Sequence, residues 1–142
     1  MTIAYAIEPA LDIEEFLAVL HASTLAERRP VDDRERIARM LKHATLIITA
    51  RDNDIRDNSG VGKLVGVARS LTDFGISCYM ADLAVDVAYQ RRGIGKELIE
   101  KTRERIGPEC ALILLAAPAA ADYYGHVGFT KSDRCWVIHR TS

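Results

Sequence analysis

The sequence has few cysteines and no long apolar run, and each shortage excludes a class of protein. Three cysteines, widely spaced and without a C-x-x-C pair, stand at Cys78, Cys110 and Cys135. This pattern argues against a disulfide framework and a structural zinc site, so we expect free thiols packed in the core and no metal. The longest apolar run, residues 111–121, is interrupted by a proline and is too short to span a bilayer. We therefore expect no membrane segment.

The sequence also has no large excess of positive or negative charge. The chain has 19 Lys and Arg against 20 Asp and Glu, for a formal net charge of -1. Such a chain has no overall attraction for nucleic acid or an anionic membrane, so any anion must be bound by a local cluster of charge. No basic segment followed by an apolar stretch opens the sequence, which predicts a cytoplasmic protein. The 142 residues, 49% of them hydrophobic, suit one compact domain over residues 1–142.

The order of apolar patterns predicts an α+β fold, with three layers of mixed α/β structure. Alternating or continuous apolar residues predict strands, and helical spacing predicts helices, of which the second is capped by Asp32. We expect strands at 2–8, 45–50, 62–71, 76–86, 110–117 and 135–140, and helices at 10–24, around 37–41, from 93 and at 119–127. The strand at 110–117 is apolar throughout, which predicts cover on both faces. Residues 51–60 are polar and predict a loop.

The stretch "YQRRGIGKELIEKTRERI", residues 89–106, predicts a turn that leads into an amphipathic helix. The first amides of a helix have no intrahelical acceptor and carry about half a positive charge, so they can bind phosphate. Gly93 and Gly95 would allow a ligand to approach the backbone. Arg91, Arg92 and Lys96 add positive charge.

Other glycine-rich phosphate sites fit this turn less well. A dinucleotide fingerprint requires a small residue where this chain has Leu98, and it belongs to an early strand-turn-helix unit. A P-loop requires a spacing and a hydroxyl that "GKL", residues 62–64, does not have. A simple structural turn with solvated arginines stays open as an alternative on these residues alone.

Two motifs together resemble the GNAT superfamily of acyl-CoA-dependent N-acyltransferases. "QRRGIG", residues 90–95, resembles the family signature Q/R-x-x-G-x-G/A, and "AADYYGHVGF", residues 120–129, resembles its A-x-x-F-Y-x-K-x-G-F segment. The resemblance implies a GNAT-like central mixed sheet, largely antiparallel, with helices on both faces. It also implies transfer of an acetyl group from acetyl-CoA to a primary amine, by direct attack in a ternary complex.

The resemblance also implies roles for individual residues. The backbone N–H of Leu83 would hold the developing oxyanion, and Tyr124 would act as the general acid, with Tyr123 packed in the core. Asp82 is a candidate base, although its side chain should point away from the face of Leu83. A water chain that ends at backbone carbonyls could do the same work. The residues implied in acetyl-CoA binding are Leu83, Ala84, Val85, Gln90, Arg91, Arg92, Gly93, Ile94, Gly95 and Lys96.

Two positions depart from the family pattern, and the acceptor stays unidentified. Ala117 stands where many relatives have an asparagine, and His126 replaces a lysine and is a second candidate base. The segment 23–33, with Arg28, Arg29, Asp32 and Asp33, is expected to help select the amine. We expect acetyl-CoA and an amine as partners, no nucleic acid, and a possible homodimer. A non-catalytic acyl-CoA-binding sensor or interaction module is the alternative function.

Overall fold

A computed structural model describes residues 1–142 and contains one five-stranded sheet with the strand order β1-β2-β3-β4-β5. The strands are β1 (Ile3–Ile7), β2 (Leu46–Arg56), β3 (Gly62–Thr72), β4 (Ser77–Val85) and β5 (Ala111–Ile113). Neighbours from β1 to β4 pair antiparallel, and β5 pairs parallel to β4. The mixed, largely antiparallel sheet predicted from the sequence is confirmed.

Three α-helices flank the sheet: α1 (Ile13–Ala22), α2 (Arg34–Lys42) and α3 (Ile94–Ile106). The first is shorter than the predicted helix at 10–24, because Asp12 caps it by accepting from the Glu15 N–H at 3.1 Å. Asp33 caps α2 by accepting from the Arg36 N–H at 3.1 Å, so the predicted cap at Asp32 was wrong by one residue. Each cap satisfies an amide that the helix itself leaves unpaired. None of the helices reaches the length and apolarity that a bilayer-spanning helix requires.

The helices cover opposite faces of the sheet. Leu98 and Ile99 of α3 pack with Ile48 in one apolar cluster. Phe16 of α1 packs with Ile47 in the other, together with residues of α2. Because successive strand residues point to opposite faces, the neighbours Ile47 and Ile48 serve the two cores in turn. This arrangement gives the three predicted layers.

The predicted loop at 51–60 is mostly strand, because β2 continues to Arg56. Polar residues can extend a strand when each has a partner. Arg51 makes ion pairs with Glu8 at 2.8 Å and Glu15 at 2.5 Å. Asp52 is buried and accepts a hydrogen bond of 2.6 Å from the Tyr89 hydroxyl. These partners lie far away in the sequence, so the polar composition alone predicted a loop.

The C-terminal part differs most from the prediction. No strand forms at 135–140, and β5 is therefore an edge strand of three residues with exposed positions, not a strand covered on both faces. In place of the predicted helix at 119–127 there are two short 3-10 turns, Pro118–Ala120 and Tyr124–Val127. Cys78 and Cys110 are buried free thiols, whereas Cys135 is exposed, contrary to expectation. Alternation can indicate an extended backbone, but it cannot supply a pairing partner.

Candidate active site

The central feature of the site is the separation of β4 from β5. The two strands pair only between Ser77–Tyr79 and Ala111–Ile113. On the other side of β4, Arg69 pairs with Asp82 and Ser70 with Met80, which leaves Ala81 as a bulge. A bulge bends and twists its strand. From Met80 to Val85, β4 therefore has no strand partner on the side of β5, and this open edge can pair with an extended ligand.

A cleft of about 1040 Å³ opens between the separated strands. Its volume is near the upper limit of the roughly 300–1,000 Å³ typical of small-molecule sites. The walls come from β4, the segment after β5, the segment between α1 and α2, Tyr124 and the residues near the C-terminal end. Leu83, Ala84, Val85 and Gln90 of the predicted set line the cleft, as does Ala117.

The turn before α3 presents free backbone amides. The N–H groups of residues 91–96 donate to no protein acceptor, and Glu97 is the first residue of the helix to donate, to the Gly93 carbonyl at 3.0 Å. Arg91 and Gly93 both have left-handed backbone conformations, with φ of 63° and 81°. Left-handed residues in a turn can direct successive amides toward one point, which makes an anion-binding concavity.

The two glycines of the turn meet different constraints. A Cβ at Gly93 would meet nothing within 4 Å, but the left-handed φ would strain any other residue. A Cβ at Gly95 would lie 3.2 Å from the Tyr123 hydroxyl and 3.7 Å from Val85. Tyr123 therefore lies against the turn, and it is 40% exposed. The prediction that Tyr123 packs in the core was wrong.

Side chains attach the turn to the sheet. Gln90 donates through Nε2 to the Val85 carbonyl at 3.1 Å, which joins the turn to the open edge of β4. Arg92 lies over the Tyr89 ring, with its guanidinium carbon 5.5 Å from the ring centre. Arg91 and Lys96 are exposed. Gln90 therefore connects the turn to the part of β4 that lines the cleft, whereas Ile94 of the predicted set is buried in the α3 core.

Comparison with known proteins agrees with this geometry. A family model described as "Acetyltransferase (GNAT) domain" matches residues 43–131. The chain belongs to the GNAT acetyltransferase family. It is 30% identical over 95 residues to an uncharacterized N-acetyltransferase, ycf52, of Porphyra purpurea, covering 64% of this chain and 51% of the relative. The chain thus spans about half the length of that curated relative.

Solved structures share the GNAT fold at low sequence identity. A protein of unknown function from meticillin-resistant Staphylococcus aureus superposes with a TM-score of 0.76 at 19% identity, covering 99% of this chain and 100% of that one. An aminoglycoside acetyltransferase from an uncultured soil metagenomic sample, solved with sisomicin, has a TM-score of 0.67 at 21% identity, with coverage of 99% and 96%. Both support the fold alone.

Tyr124, from the second GNAT motif, lines the cleft and is partly buried. Its ring meets those of Tyr123 and Phe129 edge to face, at centroid distances of 5.2 and 5.5 Å. Burial, and to a smaller extent the neighbouring Tyr123, raise the pKa of Tyr124 above its ordinary value of 10.0. The hydroxyl therefore stays protonated at neutral pH and can donate a proton into the cleft.

Asp82 lies in a buried ion-pair network. Its Oδ1 accepts from Arg29 Nε at 2.6 Å, and its Oδ2 accepts from Arg69 Nε at 2.5 Å. Arg29 also donates to the Ala81 carbonyl at 2.8 Å. Both carboxylate oxygens are thus held by guanidinium groups, and the side chain does not line the cleft. Leu83 packs partly against the α3 core, on the opposite side from Asp82, as strand alternation predicted.

Sequence reasoning missed several residues of the cleft. Arg69 and Arg36 line it, as do His139 and Arg140 from the C-terminal segment. Arg69 gave one usable signal, since an arginine inside the apolar strand pattern of β3 requires a buried partner. By contrast, the candidate base His126 is exposed and does not line the cleft.

Proposed function

We propose that the protein is an N-acetyltransferase that transfers the acetyl group of acetyl-CoA to a primary amine by direct attack in a ternary complex. One observation carries the proposal: the free amides of residues 91–96 adjoin the open edge of β4 at one end of the cleft. These amides would hold the pyrophosphate, with Arg91, Arg92 and Lys96 adding positive charge. The pantetheine arm would lie along Leu83–Val85 like an added strand.

The reaction needs a neutral amine, a polarised carbonyl and a proton for the departing thiolate. An alkyl amine has a pKa of about 10.4 in water, so it must lose a proton before attack. We propose that the Leu83 N–H polarises the thioester carbonyl and that Tyr124 donates the proton to the thiolate. The side chains lining the cleft that can accept the amine proton are Glu27 and His139. Asp82 is better placed to position two arginines than to take this proton.

The arrangement of the strands also supports a proposal for the extent of the domain. We propose that residues 1–142 act as one acyltransferase domain, because β4 and β5, the strands that precede the two motifs, belong to a single sheet. An open cleft beside Tyr124 favours an enzyme over a non-catalytic sensor. The cytoplasmic location and a homodimer remain expectations from the sequence.

Gly93→Glu tests the assigned cofactor site. The new side chain would place bulk and negative charge at the amides, so we expect acetyl-CoA affinity, measured by calorimetry, to fall at least tenfold. Gly60→Glu is the matched control, since Gly60 also has a left-handed φ, of 84°, and open space around its Cα. It introduces the same backbone strain in the β2–β3 loop. Equal affinity in wild type and a folded Gly93→Glu variant would remove the site.

A further inference from the structure

The end of the cleft away from the turn is strongly basic. Five arginines line the cleft but only one acidic residue, Glu27; the arginines are Arg28, Arg29, Arg36, Arg69 and Arg140. The chain as a whole has a net charge of -1. Positive charge is therefore concentrated in the cleft. Because the cleft walls have a low dielectric constant, this charge attracts anions more strongly than the same charge on an open surface would.

Asp82 neutralises only part of this charge. It pairs with Arg29 and Arg69, as described above. Arg28, Arg36 and Arg140 make no ion pair with any Asp or Glu side chain. The Arg36 side chain donates through Nη2 to the main-chain oxygen of Ser142 at 3.3 Å, so Arg36 already has one acceptor.

The aspartates near these arginines do not face the cleft. Asp33 is used as the cap of α2, and Asp32 is exposed and lies outside the lining. The segment between α1 and α2 thus directs its arginines inward and its aspartates elsewhere. Arg29 anchors the segment to β4 through Asp82 and the Ala81 carbonyl, which holds the adjacent Arg28 at the rim.

These arginines are separate from the proposed pyrophosphate site. Gln90 joins the turn to β4 at Val85, whereas Arg29 joins β4 at Ala81. Four residues of strand separate the two points, or roughly 13 Å at about 3.3 Å per residue. Leu83 lies between them. Arg29 and the adjacent Arg28 are thus on the opposite side of Leu83 from the turn.

We propose that the amine acceptor carries an anionic group, a carboxylate or a phosphate, which Arg28, Arg36 and Arg140 bind while the amine lies beside Leu83. The inference rests on the proposed acetyltransferase function and names the class of its substrate. Guanidinium groups bind both kinds of anion through paired N–H donors. A polycationic acceptor would meet like charge in this cleft, and a neutral amine would leave at least the guanidinium groups of Arg28 and Arg140 without a counter-ion.

Matched pairs of amines test the substrate class. CoA release from acetyl-CoA is measured with amino acids and their α-amides, with 2-aminoethyl phosphate and ethanolamine, and with an aminoglycoside and a lysine-rich peptide. We expect the anionic member of at least one pair to have a kcat/KM at least about tenfold higher than its neutral partner. The pair that shows the difference identifies carboxylate or phosphate. Equal or better use of the neutral or polycationic amines overturns the inference.

Arginine variants connect that preference to the cleft. Arg28→Gln and Arg36→Gln should each lower kcat/KM for the anionic amine about tenfold and leave that for its neutral partner unchanged. Arg39→Gln is the matched control, because Arg39 lies on α2 with Arg36 but outside the cleft. Equal loss with charged and neutral amines would contradict the assignment.

A binding measurement keeps this test separate from the proposed function. Calorimetry of the same amines with the CoA-loaded protein should show the anionic preference even without turnover. If no anionic amine binds more tightly than its neutral partner and none reacts faster, the inference fails. Loss of the proposed function would appear differently, as wild-type protein that does not bind acetyl-CoA at all.

Discussion

At the scale of single residues, Tyr124 is the side chain on which turnover should depend most. Tyr124→Phe keeps the ring that packs against Phe129 but removes the hydroxyl proton. We expect kcat to fall about 10²-fold, on the general-acid scale, with acetyl-CoA affinity unchanged. Burial raises the pKa of Tyr124 above 10.0. Deprotonation of this hydroxyl should therefore not lower the wild-type kcat below pH 10.

Steady-state kinetics with an identified acceptor, combined with calorimetry, checks this prediction. Tyr123→Phe is the matched control, because the Tyr123 hydroxyl lies at Gly95 and the residue does not line the cleft. A donor with a better leaving group than CoA should rescue Tyr124→Phe, since it needs no protonation. Full activity of the variant would end the role of Tyr124 as the acid.

Individual site residues differ in how far the sequence could predict them. Gly93 and Gly95 are predictable because the spacing of a turn and the start of a helix are local features. Tyr123 was misplaced because an aromatic residue in a motif does not reveal whether its ring packs inward or lies against the neighbouring turn. Arg36 and Arg140 were missed because they reach the cleft only after elements distant in sequence come together.

At the scale of elements, the ion pairs of Asp82 attach the segment between α1 and α2 to β4. Its side chain is fully buried, and those of Arg29 and Arg69 are only 22% and 8% exposed. Asp82→Asn would leave two guanidinium groups without their counter-ion, so we expect the free energy of unfolding to fall by about 3–5 kcal/mol. Urea denaturation measures the change. Asp32→Asn, at an exposed residue of the same segment, should have little effect.

The Asp82→Asn variant also distinguishes a positioning role of Asp82 from a role as the general base. If Asp82 positions the segment, Asp82→Asn should weaken binding of the anionic amine as well as stability. If the variant keeps its stability and its amine affinity but loses kcat alone, Asp82 would be the base instead.

Elements with a local signal were predicted, and those that depend on a partner were not. The strands β1 to β4 and the three helices follow from apolar periodicity and capping residues. The length of β2 depends on the long-range partners of Arg51 and Asp52, and the predicted strand at 135–140 required a neighbour that β5 does not provide. Amino-acid composition gives no information on the length of β2 or on the pairing of residues 135–140.

At the scale of the whole molecule, binding at the turn should stabilise the fold. A ligand that binds only the folded state adds RT ln(1 + [L]/Kd) to the free energy of unfolding, or about 2.7 kcal/mol when acetyl-CoA is at 100 times its Kd. For a chain of this size about 3 °C of Tm corresponds to each kcal/mol, so the Tm should rise by roughly 8 °C.

Calorimetric melting with increasing acetyl-CoA checks this expectation, and the variants determine its cause. Gly60→Glu should keep the full shift and Gly93→Glu should lose most of it, because only the latter alters the free amides of residues 91–96. Tyr124→Phe should also keep the shift, because the role proposed for its hydroxyl is in turnover and not in cofactor affinity. A wild-type Tm that stays constant up to millimolar acetyl-CoA would count against the cofactor site, and an equal shift in Gly93→Glu would move that site away from the turn.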